Sequence, residues 1–78
     1  MPTIDVIDGI KIKIHGRDHR PPHIYASYNE FEVAVDIESG KIIAGDFPVR
    51  QKAKVREWLN KNRQWAKNVF FNINPGLQ

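Results

Sequence analysis

The chain has 78 residues, of which 41% are hydrophobic and 27% are charged, and its formal net charge is +3. This length provides one small hydrophobic core and excludes a multidomain enzyme, while the composition is that of a folded domain and not of a disordered tail. The sequence has no cysteine, which excludes disulfides and thiolate metal sites, and its apolar runs are too short for a membrane span.

The first half of the chain has the pattern of β-strands, with isoleucine and valine alternating with polar residues. Alternation at period two predicts a strand with one buried face and one polar face. Three segments follow this pattern, at residues 10–14, 23–28 and 31–37, and a Ser-Gly turn then leads into a fourth strand at 41–44. We therefore predict a four-stranded, mainly antiparallel sheet between residues 3 and 46.

The pattern becomes helical after Pro48, which suits the first position of a helix because proline has no N–H to leave unpaired. Val55 and Trp58 then lie on one apolar stripe. We predict one or two helices over residues 48–68 that pack on one face of the sheet, followed by a short tail at 72–78. The chain is thus predicted to be a single α+β domain over residues 1–78, located in the cytoplasm.

Basic side chains are concentrated in the predicted helix. Seven of the twelve lie between residues 50 and 67, with a single acidic residue among them. Such a face is commonly just a solvated surface, but it also suits phosphate groups, because Lys and Arg provide most contacts to phosphate. We predict that four of these side chains bind nucleic acid: Arg50, Lys54, Lys61 and Arg63.

All three histidines lie within nine residues, at His15, His19 and His23. The spacing by four does not form a metal site on a helix, because Pro21 and Pro22 prevent helical geometry in this segment. In extended structure, His15 at the end of one strand and His23 at the start of the next can meet across the connection. The segment therefore predicts a local polar pocket.

Three interpretations of this pocket stay open. Two histidines around a phosphate can act as general base and general acid in cleaving RNA through its 2′-hydroxyl, which requires no cofactor. The imidazoles and Asp18 can instead bind a divalent metal, although no standard ligand spacing is present. In the third interpretation Asp18 and His19 stabilise the Pro-Pro loop by hydrogen bonds to the backbone, and His23 is half-buried.

A family resemblance is carried by the segment Asp18-His19-Arg20-Pro21-Pro22-His23-Ile24-Tyr25. It resembles the small prokaryotic family catalogued as domain of unknown function 4160, and the likeness extends over about residues 2–66. Tyr25 is a departure, because the family usually has a second histidine at this position. The resemblance implies a small partner protein encoded by a neighbouring gene and an association with toxin–antitoxin modules.

The motif and the basic helix together predict a component of a toxin–antitoxin-type module that acts on or binds RNA, as a metal-independent ribonuclease if it is catalytic. The candidate catalytic residues are His19, His23 and Tyr25, and the supporting residues are Asp18, Arg20 and His15. We expect no cofactor, no metal and no membrane partner. The alternative is a non-catalytic, antitoxin-like module that binds a partner protein or DNA, and either kind of protein can be a homodimer.

Overall fold

The computed structural model describes residues 3–15 and 21–77. Within these two ranges, five strands are followed by one long helix and a final turn of 3-10 helix. The strands are β1 (Thr3–Ile7), β2 (Ile10–Lys13), β3 (His23–Tyr28), β4 (Phe31–Asp36) and β5 (Ile42–Asp46). The helix α1 spans Val49–Ile73, and the 3-10 turn spans Pro75–Leu77.

The strands form one antiparallel sheet in which each strand pairs with its neighbours along the chain, in the order β1-β2-β3-β4-β5. The predicted α+β class is confirmed, but the described sheet has one strand more than the four predicted. The additional strand is β1, which joins β2 through a two-residue turn at Asp8 and Gly9. Both turn residues have positive φ, of 46° and 80°, which is the geometry of the tight turn that Asp-Gly favours in hairpins.

The core lies between one face of the sheet and α1. Alternate strand residues such as Ile12, Ile24 and Val35 pack there against the helix residues Val55 and Leu59. On the opposite face, called here the open face, all of the members named below except Ala34 are at least partly exposed. Its members come from β2 to β5, and they are Lys11, Lys13, Tyr25, Ser27, Glu32, Ala34, Ala44 and Asp46.

The helix α1 is kinked at Asn62, which separates it into two helical segments. Asn62 has non-helical backbone angles (φ −125°, ψ 16°), and its side-chain Nδ2–H donates to the carbonyl oxygen of Trp58 at 2.9 Å. Beyond the bend, Ala66 and Phe70 are completely buried. The helix therefore reaches Ile73, beyond the predicted end at residue 68, because its second half also packs on the core. Charged residues occur in it as far as Lys67, and no described helix combines the length and apolar character that a membrane crossing requires.

Candidate functional site

Three aromatic side chains meet where β2 ends and β3 begins: His15, His23 and Tyr25. The ring centroid of Tyr25 lies 4.1 Å from that of His15 and 5.1 Å from that of His23, and both contacts are edge-on. The sequence predicted that the two histidines meet across their connection. In the structure they meet through Tyr25, which lies between them.

The His23 ring is buried, with 3% of the residue exposed, and both of its nitrogens are hydrogen-bonded. Nδ1 lies 2.6 Å from the carbonyl oxygen of Pro21, and Nε2 lies 3.2 Å from the hydroxyl oxygen of Tyr25. A carbonyl oxygen can only accept, so Nδ1 carries a proton, and in the neutral ring Nε2 accepts the hydroxyl proton of Tyr25. His23 is therefore placed to orient Tyr25, and its burial keeps the ring out of contact with solvent.

The C-terminal part of α1 and the residue after it close this region. The ring of Phe70 packs against that of His23 at a centroid distance of 5.6 Å. Asn74 is buried, and its Nδ2–H donates to the carbonyl oxygen of His15 at 3.0 Å and to that of Phe70 at 3.1 Å. Residues near the end of the described chain thus hold the end of β2 and the start of β3 together.

Tyr25 and His15 are both partly exposed, in contrast to His23. Tyr25 lies opposite Lys13 on β2 and opposite Ala34 on β4. Lys11, one row further along β2, is exposed. Neither lysine forms an ion pair within residues 3–15 and 21–77. The open face therefore presents aromatic rings directly beside two lysines that form no ion pair within the described residues.

The remaining predicted site residues, Asp18, His19 and Arg20, lie outside the described residues, so their roles stay predictions. Among the side chains that the structure does describe, no group of three or more His, Asp or Glu residues is arranged to hold a metal ion.

Two of the four predicted nucleic-acid-binding side chains form ion pairs with carboxylates. Lys54 Nζ lies 2.6 Å from Oδ2 of Asp8, and Lys61 Nζ lies 3.2 Å from Oε1 of Glu57. The four residues of these two ion pairs line part of a groove of about 400 Å³ between α1 and the β1–β2 turn. The charge of these two lysines is thus largely balanced within the molecule.

The other two predicted residues differ from each other. Arg63 is used in the fold, because its Nε donates to the carbonyl oxygen of Ile37 at 2.8 Å. Arg50 is exposed in the first turn of α1 and forms no ion pair within the described chain. All four predicted cations belong to α1, the layer that packs on the face opposite to the open face. The structure therefore does not bring them together with Tyr25.

The model of a family described as Domain of unknown function (DUF4160) matches residues 9–69. The chain belongs to this family. The match begins in the β1–β2 turn and ends in the second half of α1, so it includes β2 to β5 and Tyr25. The resemblance identified in the sequence is confirmed. No curated protein and no solved structure matches the chain.

The open face of this DUF4160 domain also contains a shallow depression that the sequence analysis did not identify. Its volume is about 110 Å³, and it is lined by Tyr25, Glu32, Val33, Ala34, Ala44 and Gly45. The alternation in residues 31–37 already places Glu32 and Ala34 on the polar face of their strand. The sequence did not show that this strand pairs with β3, and this pairing is what places Ala34 beside Tyr25.

Proposed function

We propose that this DUF4160 protein is the RNA-binding component of a two-gene module of the toxin–antitoxin type, and that single-stranded RNA binds to its open face. The observation that carries the proposal is the edge-on pair of Tyr25 and His15, partly exposed beside Lys13. Proteins that bind single-stranded RNA combine aromatic rings, on which bases stack, with cations that contact the backbone. Both kinds of group occur here on one surface.

The pairing of individual lysines favours Lys11 and Lys13 over Lys54 and Lys61 as contacts to RNA. Lys11 and Lys13 have no acidic partner among the described residues, whereas Lys54 and Lys61 are paired with Asp8 and Glu57. An unpaired lysine can bind a phosphate without first losing an intramolecular partner. Lys54 and Lys61 are therefore assigned a smaller role than the sequence predicted, whereas Arg50, which is exposed and forms no ion pair within the described chain, keeps its predicted role.

Fluorescence anisotropy with a labelled single-stranded RNA tests this assignment. The Lys11→Gln/Lys13→Gln variant and the matched Lys54→Gln/Lys61→Gln variant each lose two positive charges. We expect the Lys11→Gln/Lys13→Gln variant to bind RNA at least tenfold more weakly than the wild type. The slope of log K for RNA binding against log salt concentration should become shallower by about 0.7 for each lysine removed. The Lys54→Gln/Lys61→Gln variant should change the affinity and the salt slope much less. Equal losses in the two variants, or no binding by the wild type, would contradict the proposal.

RNA cleavage is a second candidate, supported by the hydrogen bonds around His23. A hydroxyl that donates to a histidine, which in turn donates to a fixed acceptor, is the arrangement by which proteins activate hydroxyl groups. Because His23 is buried, Tyr25 is the member of this pair that can touch a substrate. Total RNA incubated with the protein and a metal chelator, with His19→Ala and His23→Ala as controls, tests this activity. An RNA profile unchanged by the wild-type protein would exclude cleavage and leave binding in place.

The partner in the two-gene module is proposed from the family resemblance. Co-expression with the product of the neighbouring gene should yield a complex that survives size-exclusion chromatography. The same experiment on the protein alone distinguishes a monomer from a homodimer by mass. If the two gene products elute separately at micromolar concentration, the assignment to such a module is wrong, whatever the result with RNA.

A further inference from the structure

We propose that the depression beside Tyr25 is a selective site for an unpaired guanine base. The inference rests on the proposed RNA binding and adds a preferred base to it. The volume of about 110 Å³ is well below the roughly 300 Å³ at which sites for drug-sized ligands begin, so it fits one ring system and not a larger ligand.

The shape of the depression suits a flat ring. Ala34 lies opposite Ala44 on one side and opposite Tyr25 on the other, so two methyl groups form the floor and the phenol ring forms a wall. Gly45 continues the floor with φ of +83°, and a Cβ there would collide with the carbonyl oxygen of Glu32. An apolar floor and an aromatic wall provide the contacts on which nucleobases stack.

The polar groups of the depression accept hydrogen bonds. Glu32 lines the depression, is exposed and forms no ion pair within the described residues. Glu32 also lies directly opposite Asp46 on β5, and like charges at opposed positions of a sheet repel each other. A ligand that donates hydrogen bonds therefore fits this site better than one that accepts them.

Guanine is the base that matches a carboxylate at two points. Its Watson–Crick edge presents N1–H and N2–H side by side, and a carboxylate can accept both as a bidentate, charge-assisted pair. Adenine, cytosine and uracil each present one donor nitrogen on that edge. A site built around Glu32 therefore distinguishes guanine from the other three bases.

The charges of the open face agree with this orientation. Lys11 lies in the same cross-strand row as Glu32, with Ser27 between them, and Lys13 lies in the next row with Tyr25 between it and Ala34. The two lysines are thus on β2, and Glu32 is on β4. These strands lie on either side of β3, and each strand is about 4.8 Å from its neighbour. A nucleotide whose phosphate contacts β2 extends its base over Tyr25 toward Glu32.

The test compares three labelled heptamers of uridine that carry a single central guanosine, adenosine or cytidine. Wild-type protein should bind the guanosine heptamer at least fivefold more tightly than the other two. Glu32→Gln should remove this preference, because an amide offers one acceptor atom in place of two. Glu30→Gln is the matched control: it removes the same charge from the exposed β3–β4 turn, outside the depression, and should keep the preference.

The outcomes separate this inference from the proposed function. Equal binding of the three heptamers to the wild type overturns the guanine site but leaves RNA binding established. Loss of the preference in both glutamate variants also overturns it, because the effect would then follow net charge and not contact with the base. Failure of all three heptamers to bind refutes the RNA-binding function and the guanine site together. The wild-type comparison alone decides the preference, so the result does not depend on how the variants fold.

Discussion

The indole Nε1–H of Trp58 donates a hydrogen bond of 2.7 Å to Oδ2 of Asp5, which connects α1 to the edge strand β1 across 53 positions of the chain. The other oxygen of this carboxylate, Oδ1, accepts the backbone N–H of Val6 at 2.8 Å. The Asp5 side chain thus attaches α1 to the sheet and also accepts a hydrogen bond from a backbone N–H of the edge strand β1. Unpaired edge donors promote unwanted strand pairing, so the second bond also protects β1 from association.

Replacing Asp5 with Ala should lower the free energy of unfolding by about 1–3 kcal/mol, because it leaves the partly buried indole N–H of Trp58 without an acceptor. Urea denaturation gives the value. Trp58→Phe removes the same hydrogen bond while keeping an aromatic ring in the core. The double variant should lose less stability than the sum of the two single losses. Strictly additive losses would show that the bond contributes nothing to stability.

Asn62→Ala should destabilise the protein by about 1 kcal/mol, although alanine is the better helix former. The reason is that Asn62 adopts non-helical angles and caps the carbonyl of Trp58, a bond that alanine cannot make. Asn68→Ala is the control, since Asn68 is exposed on the same helix and, among the described residues, its side chain bonds only Gln64. Thermal or urea unfolding of both variants provides the comparison. A gain in stability for Asn62→Ala would mean that the bend in α1 is not required by the packing.

Two glycines with similar φ should respond very differently to substitution by alanine. Gly40 (φ 74°) has no atom within 4 Å of an added Cβ, so Gly40→Ala should cost only about 1 kcal/mol of backbone strain. At Gly45 (φ 83°) the Cβ would strike backbone atoms of Glu32 and Val33. Gly45→Ala should therefore cost about 3 kcal/mol or more, or prevent folding, as circular dichroism and urea denaturation would show. Similar losses at the two positions would contradict the observed close approach of β5 to β4.

Tyr25→Phe should lower stability by about 1–2 kcal/mol, because it removes the hydroxyl that donates to Nε2 of the buried His23. Tyr28→Phe is the control, since the described chain shows ring packing on Phe47 but no hydrogen bond for the Tyr28 hydroxyl. Urea denaturation of the two variants measures the difference. If Tyr25→Phe is no less stable than Tyr28→Phe, the Tyr25–His23 bond does not hold the site.

The strands with regular alternation were predictable, while β1 was not. In β3 and β4 the larger apolar residues recur at every second position, so the period of two is visible in the sequence, although His23 and Ala34 between them are buried as well. In β1 the pairing shifts between Thr3 and Asp5, which places an extra residue in the strand and breaks the alternation. The Asp8-Gly9 turn was the available signal for this hairpin.

The proximity of His15 and His23 was predictable from the sequence, but the burial of His23 was not. The chain connects the strands that bear His15 and His23, and this short connection was enough to predict that they meet. The burial of His23 depends on Phe70, 47 positions away, and no local pattern shows such a contact. The balanced charge of Lys54 likewise depends on Asp8 in a distant hairpin. Sequence periodicity describes one element at a time, whereas both of these facts arise from packing between elements.

The contacts of Phe70 and Asn74 also bear on where this domain ends. The family match stops at residue 69, one position before the ring that covers His23 and five before the amide that binds the carbonyl of His15. A recombinant fragment designed on the family boundary would keep the motif and the whole of β2 to β5. It would, however, open the imidazole of His23 to water and release the end of β2. A recombinant fragment intended to measure the chemistry of this site therefore has to extend through Asn74.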